Sequence, residues 1–217
     1  QTYDMIWSFG GEVISEDEET SLLDRPEAVK AIQFNADLIF KHKVAPPLTS
    51  SLGWDAELFK KGVMAMYTEG SWMVPYFQRV ENLDWDVAPW PHVNGKRAVV
   101  TNGLAECIAS GTHDPELAWR FVKFLMSDEI QRRLTVIPSL KSATRSWLKP
   151  DLSPRHQEVF IDSMDFARPF PLGAHFEEWN DAWMAEMELV MVSGKETAEE
   201  GMRKVAPKIT GILNRED

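Results

Sequence analysis

Five histidines, a single cysteine and an excess of carboxylates are the groups here that could hold a metal or attack a substrate. His42, His92, His113, His156 and His175 never recur at the close helical spacing that converges imidazoles on zinc, so no metal site is expected. No cofactor is expected either, because neither the P-loop nor the dinucleotide glycine pattern occurs. No serine stands in a nucleophile elbow, and Cys107 lies in an apolar, strand-like run that suits a small buried hydrophobe. Sugar hydrolysis needs only two carboxylates across a cleft. Glu177 and Glu178, however, fall on different sides of one helix, and Asp84 and Asp86 flank Trp85 with nothing in the sequence to make them converge. No catalytic residue is assigned.

What remains is a set of aromatic and polar groups at turns. Trp72 follows Gly70 and Ser71, Asn102 and Gly103 interrupt a strand, Trp54 and Asp55 open a helix, and Arg168 precedes Pro169. Flat aromatic faces beside amide, carboxylate and guanidinium groups suit a neutral polyhydroxylated ligand, whose C–H faces are apolar and whose hydroxyls need donors and acceptors. The pattern reads as a sugar site. Nine Trp against three Tyr fits it, although most of those indoles are expected to fill helix packing.

The stretch from Phe59 to Met73 positions the leading candidate. Gly62 stops a short helix, Val63 to Tyr67 is an apolar run of strand length, and Thr68 to Ser71 is a turn. In that turn Gly70 is expected to supply an unusual backbone angle and Ser71 an N-cap. Elsewhere, Glu12 to Leu23 reads as an acidic hairpin or loop, and Pro26 to Lys43 as an amphipathic helix. A helix is expected from Trp72 to about Val80, and strands at 85–89, 97–101 and 104–109 with a turn at Asn94-Gly95. Asp114-Pro115-Glu116 starts a helix with Leu117, Ala118, Phe121, Val122 and Leu125 as its buried stripe, and Ser127 opens another. Further helices are expected from Ser153 to about Ala167 and from His175 to Val192, the latter burying Trp179 and Trp183. The last starts at a Thr197/Glu200 capping box and should be kinked or split by Gly201, Pro207 and Gly211.

The bulk properties exclude several classes. A formal charge of −11 repels phosphate backbones and anionic lipid, so no nucleic-acid partner is expected. No apolar run approaches the length of a membrane span, so an integral membrane protein is not expected either.

Taken together, these residues resemble the extracellular solute-binding proteins of sugar ABC transporters, the maltose-binding-protein-like family. Trp7 to Gly11 (WSFGG) is similar to its W-x-x-G-G, and Pro26 to Val29 to a helix start of the family. Phe59 to Trp72 matches F-x-x-G-x-x-A-M-x-x-x-G-x-W, the most specific piece. Thr101 to Leu104 lies where the family has a glycine-rich hinge strand. Pro115 to Leu125 matches P-E-x-A-W-x-F-x-K-F-L, and Ala167 to Pro169 matches A-R-P.

The resemblance implies a helix-rich α/β, periplasmic-binding-protein-like fold of two lobes, mostly the carboxyl-terminal one. On that reading residues 1–102 and 141–217 belong to the carboxyl-terminal lobe, 103–140 form the hinge and an excursion into the amino-terminal lobe, and most of the latter is absent. Phe121, Phe124 and Leu125 would then stand exposed, paired or repacked. It also implies a non-enzymatic, periplasmic or extracellular carbohydrate-binding component of an ABC importer, with a sugar ligand and permease subunits as partners. The alternatives are a carbohydrate-active enzyme with the same aromatic platform, or a helical protein-interaction module. The candidate ligand residues are Trp72, Gly70, Ser71, Asn102, Gly103, Arg168, Trp54, Asp55 and Trp7.

Overall fold

A computed structural model describes residues 2–47 and 55–216. In chain order the helices are α1 (Thr2–Ser8), α2 (Pro26–Phe40), α3 (Asp55–Lys60), α4 (Val74–Phe77), α5 (Pro115–Leu125), α6 (Asp128–Gln131), α7 (Glu158–Asp162), α8 (Phe176–Met187) and α9 (Ala198–Leu213). Two short strands, β1 (Val99–Thr101) and β2 (Ala167–Pro169), pair in the only sheet among the described residues. The chain divides into two compact units: Gln1–Thr68, Trp90–Val100 and Phe166–Asp217 make the first, Glu69–Pro89 and Thr101–Asp165 the second.

The first unit is a helical core. α8 packs on α9, α1 on α2, and α2 on α9. Between them Ile6, Leu23, Ile32, Trp179, Met202 and Ile209 are fully enclosed. Trp183 is buried with them, as the helical spacing predicts. Each boundary has a local cause. Pro26 stands in the first turn of α2. Gly62, at φ +69°, lets the Gly62 and Val63 amides donate to the Phe59 and Leu58 carbonyls and close α3. Thr197 and Glu200 form the expected capping box. The acidic segment is a hairpin joined at Ile14 and Ser21, and Asn94-Gly95 turns a second one between Val93 and Lys96, both residues at positive φ.

α9 is not split: it runs as one helix with Pro207 inside it. Val205, Ala206 and Ile209 are buried around that proline, so packing offsets the missing N–H. Gly201 is needed for proximity, since a Cβ there would stand 2.8 Å from Val190 Cγ2. α8 continues into a π-helical turn over Glu188–Val192, which the sequence pattern did not signal.

Between α8 and α9 the Glu186 Oε1 and Glu196 Oε2 atoms are buried with no donor of their own, while the two carboxyl groups hydrogen-bond each other. One proton shared between them would supply the missing donor. Burial first, then the Glu196 hydrogen bond and charge, raise Glu186 above the usual carboxylate range, with Lys204 and Lys208 opposing. The Lys204 ammonium first, then Glu186, lower Glu196, while Glu200 opposes. The raised group contributes stability that is full below its unfolded value and lost as pH rises through the folded one; the lowered group does the reverse as pH falls. Glu186→Gln, whose amide donates without a proton, should therefore melt above the parent at neutral to mildly alkaline pH, with the gap narrowing as pH falls toward the ordinary glutamate range. Parallel melting curves with a constant offset would remove the shared proton.

The second unit is less densely packed. Met73, Val74 and Phe77 are buried, and Phe77 lies against Tyr76 and Trp85. Trp147 donates from Nε1 to the Thr135 carbonyl at 2.9 Å and meets Phe160 edge-on. Gln157 is buried and bonds the backbone of Lys149 and Leu152. The helix after Trp72 ends at Phe77, and the one expected from Ser153 is α7 followed by a short 3₁₀ turn over Ser163–Phe166.

Several expectations fail here and at the neighbouring run. Residues 63–67, 85–89 and 104–109 form no strand, because an apolar run becomes one only against a hydrogen-bonded neighbour, and none faces them among the described residues. Val63, Met66 and Leu104 are instead exposed. α5 forms as expected, with the Asp114 carboxylate accepting from the Leu117 amide at 2.9 Å, yet none of its residues is buried. Of its expected stripe, Leu117 and Phe121 are exposed while Ala118, Val122 and Leu125 are half-buried; Phe124 is exposed too, one of the outcomes the resemblance implied for Phe121 and Phe124.

Candidate functional site

Trp72 is carried by the second unit on a 3₁₀ turn, Ser71–Met73, that runs directly into α4. The next two residues, Met73 and Val74, point into the unit, so the turn is anchored from below while the Trp72 indole stays 54% exposed. Two local expectations are corrected. Gly70 has φ −93°, not an unusual angle, and it is Gly70 that occupies the N-cap position. Ser71 is the first residue of the turn, its carbonyl accepting from the Val74 amide, and no side chain caps it. The Gly70 amide donates to Glu69 Oε1 at 3.0 Å.

Asn102 and Gly103 also belong to the second unit, just past β1. Both are exposed, and a Cβ at Gly103 would meet nothing within 4 Å, so packing in this unit does not require that glycine.

The first unit brings Arg168 and Trp7 together. The Arg168 guanidinium lies 4.4 Å from the centre of the Trp7 ring, a cation–π contact. It also forks onto Glu12, Nη1 to Oε1 at 3.0 Å and Nη2 to Oε2 at 2.7 Å. The WSFGG run explains how. Trp7 sits on α1 as a buried face, 5% exposed. Gly10 at φ +85° reverses the chain, and Gly11 lets it pass the start of α2, where a Cβ would stand 2.9 Å from the Ala28 nitrogen. Glu12 then meets β2. Sequence reasoning missed Glu12, which lies 156 positions from its partner and carries no local signal. Asp55 is the first residue of α3 and partly exposed. Trp54 lies outside the described residues.

Of the carboxylates weighed for catalysis, Asp86 and Glu178 are otherwise engaged. Asp86 accepts from the His156 amide at 3.1 Å and pairs with its ring at 2.6 Å. Burial pulls Asp86 up, but these bonds and the Val87 amide hold it below the usual range. Glu178 accepts a fork from Arg215, which lowers it. Among the described residues no three His, Cys, Asp or Glu side chains gather into a metal site, and no helix is long and apolar enough to cross a membrane.

Comparison with known proteins places these features. A family profile described as bacterial extracellular solute-binding protein matches residues 1–132. A maltotriose-binding protein of Pyrococcus abyssi is 28% identical over 135 residues, 59% of this chain and 29% of that protein. Among solved structures, an ABC substrate-binding protein from Listeria monocytogenes in complex with cycloalternan superposes with a TM-score of 0.82 at 20% identity, covering 99% of this chain and 56% of that one. The GacH receptor of Streptomyces glaucescens, solved unliganded and with acarbose, gives 0.82 at 21% identity over 100% of this chain and 57% of its own. The chain thus spans little more than half the length of these structures. The likeness establishes the fold as periplasmic-binding-protein-like and helix-rich.

Proposed function

The chain belongs to the bacterial extracellular solute-binding protein family, and from that premise we propose that it is the carbohydrate-binding component of an ABC importer. On this reading it captures a mono- or oligosaccharide in the interlobe cleft of the family fold and presents it to the membrane permease on the periplasmic or extracellular face of the cell. It binds and releases without a catalytic step. The observation that carries the reading is Trp72, a half-exposed residue on a turn anchored by the buried Met73, the geometry a stacking platform for sugar C–H faces needs. Asn102, Gly103, Arg168, Asp55, Ser71, Trp54 and Trp7 remain candidates for the rest of the site, and the lobe division at 102/103 and 140/141 is part of the same proposal. Named sugars on relatives, maltotriose and cycloalternan among them, favour a carbohydrate over other solutes.

Calorimetry of the full-length protein against a panel from monosaccharides to maltotriose tests this. Saturable binding with the sugar recovered intact is the expected result. Hydrolysis of the sugar, or no heat with any member, would overturn it.

A further inference from the structure

Gly70 has no backbone reason to be glycine. Its φ of −93° and ψ of 170° are extended backbone open to any residue. What fills the place of its side chain is Trp72: a Cβ on Gly70 would stand 2.1 Å from Cζ3, 2.2 Å from Cη2 and 2.5 Å from Cε3 of the indole. These are adjacent carbons of the six-membered ring, on the edge away from Nε1. The indole is therefore folded back with that edge against the Gly70 backbone and its N–H edge on the side away from Gly70. Trp90, Trp147 and Trp179 each donate from Nε1 to a protein acceptor, whereas Trp72 Nε1, like those of Trp7, Trp85, Trp119 and Trp183, donates to none among the described residues.

We propose that Gly70 is the positioning residue of the Trp72 platform. The missing side chain seats the ring edge on the backbone, selects one orientation of the two-torsion indole, and leaves its N–H to donate to a ligand hydroxyl. The proposal rests on Trp72 facing the sugar, but the seating itself exists without ligand. Any side chain at position 70 displaces the ring and costs preorganisation, not fold.

The test is Gly70→Ala in the full-length protein with ¹⁵N-labelled indoles. The Trp72 indole cross-peak, assigned by its loss in Trp72→Ala, should move in Gly70→Ala while the other indole peaks hold their positions. Maltotriose affinity should fall roughly 3- to 10-fold in the parent and not at all in the Trp72→Ala background, since the two residues act as one unit. If Gly70→Ala lowers the melting temperature, Trp72→Ala should restore it by removing the colliding ring. An unmoved cross-peak, or the same loss in both backgrounds, overturns the proposal. A parent that binds no maltotriose counts against the assigned function, while the cross-peak still decides the seating.

Discussion

Trp72→Ala should weaken sugar binding by about one to two orders of magnitude and leave the melting temperature of the protein nearly unchanged. The two halves of that expectation have separate causes. With 54% of the residue exposed, on the order of 100 Å² of ring is available to a ligand; at about 25 cal/mol per Å², covering it stabilises the complex by roughly 2–3 kcal/mol. Each 1.4 kcal/mol is about tenfold in affinity. Stability is little affected because the turn is held by Met73, Val74 and Phe77, which the substitution leaves in place. Calorimetric titration and a thermal melt of the same sample separate the effects. Unchanged affinity removes Trp72 from the site, and a large drop in melting temperature makes it a core residue.

The second large effect comes from the same residue type in the opposite setting. Trp179 is completely buried, donates from Nε1 to the Leu172 carbonyl at 2.8 Å, and meets Phe176 edge-on with centroids 5.1 Å apart. Trp179→Ala empties that volume and strands the Leu172 carbonyl, at a cost of about 3–5 kcal/mol. For a chain of this size that corresponds to a melting shift of roughly 6–20 °C. A shift no larger than that of Trp72→Ala would show that α8 can repack around the gap. Identical side chains with opposite phenotypes would confirm that burial, not composition, assigns the role of each indole.

What the sequence made legible was local. The Pro26 start, the Gly62 stop, the Asp114 cap, the Thr197/Glu200 box and the Asn94-Gly95 turn each depend on a handful of consecutive residues, and each forms. The failures share the opposite property. A strand at 63–67 or 104–109 requires a partner elsewhere in the chain, and an apolar pattern records only the preference, not the neighbour. The stripe of α5 is a similar case: the periodicity of Leu117, Ala118, Phe121, Val122 and Leu125 fixes a face, but what covers a face is a tertiary fact. At the candidate site, Trp72 was visible from its motif, whereas the Glu12–Arg168 fork was not. The reason for Gly70 was misassigned because glycine in a turn suggests a dihedral angle, and here it answers to the volume of a neighbouring ring.

The outward face of α5 also has a consequence for how molecules that leave it uncovered should behave toward one another. Its 11-residue helix presents Leu117, Phe121 and Phe124 as an exposed ridge, with Trp119 beside it and Leu104 nearby in sequence. Such a ridge attracts its like. The formal charge of −11 opposes that attraction by mutual repulsion. The two forces differ in reach and in their response to the medium: the Debye length shrinks from about 30 Å at 0.01 M salt to about 8 Å at 0.15 M, while apolar attraction does not weaken. Where that ridge is uncovered, dilute buffer should keep the molecules dispersed and added electrolyte should bring them together, so ionic strength would tune their association through this one helix.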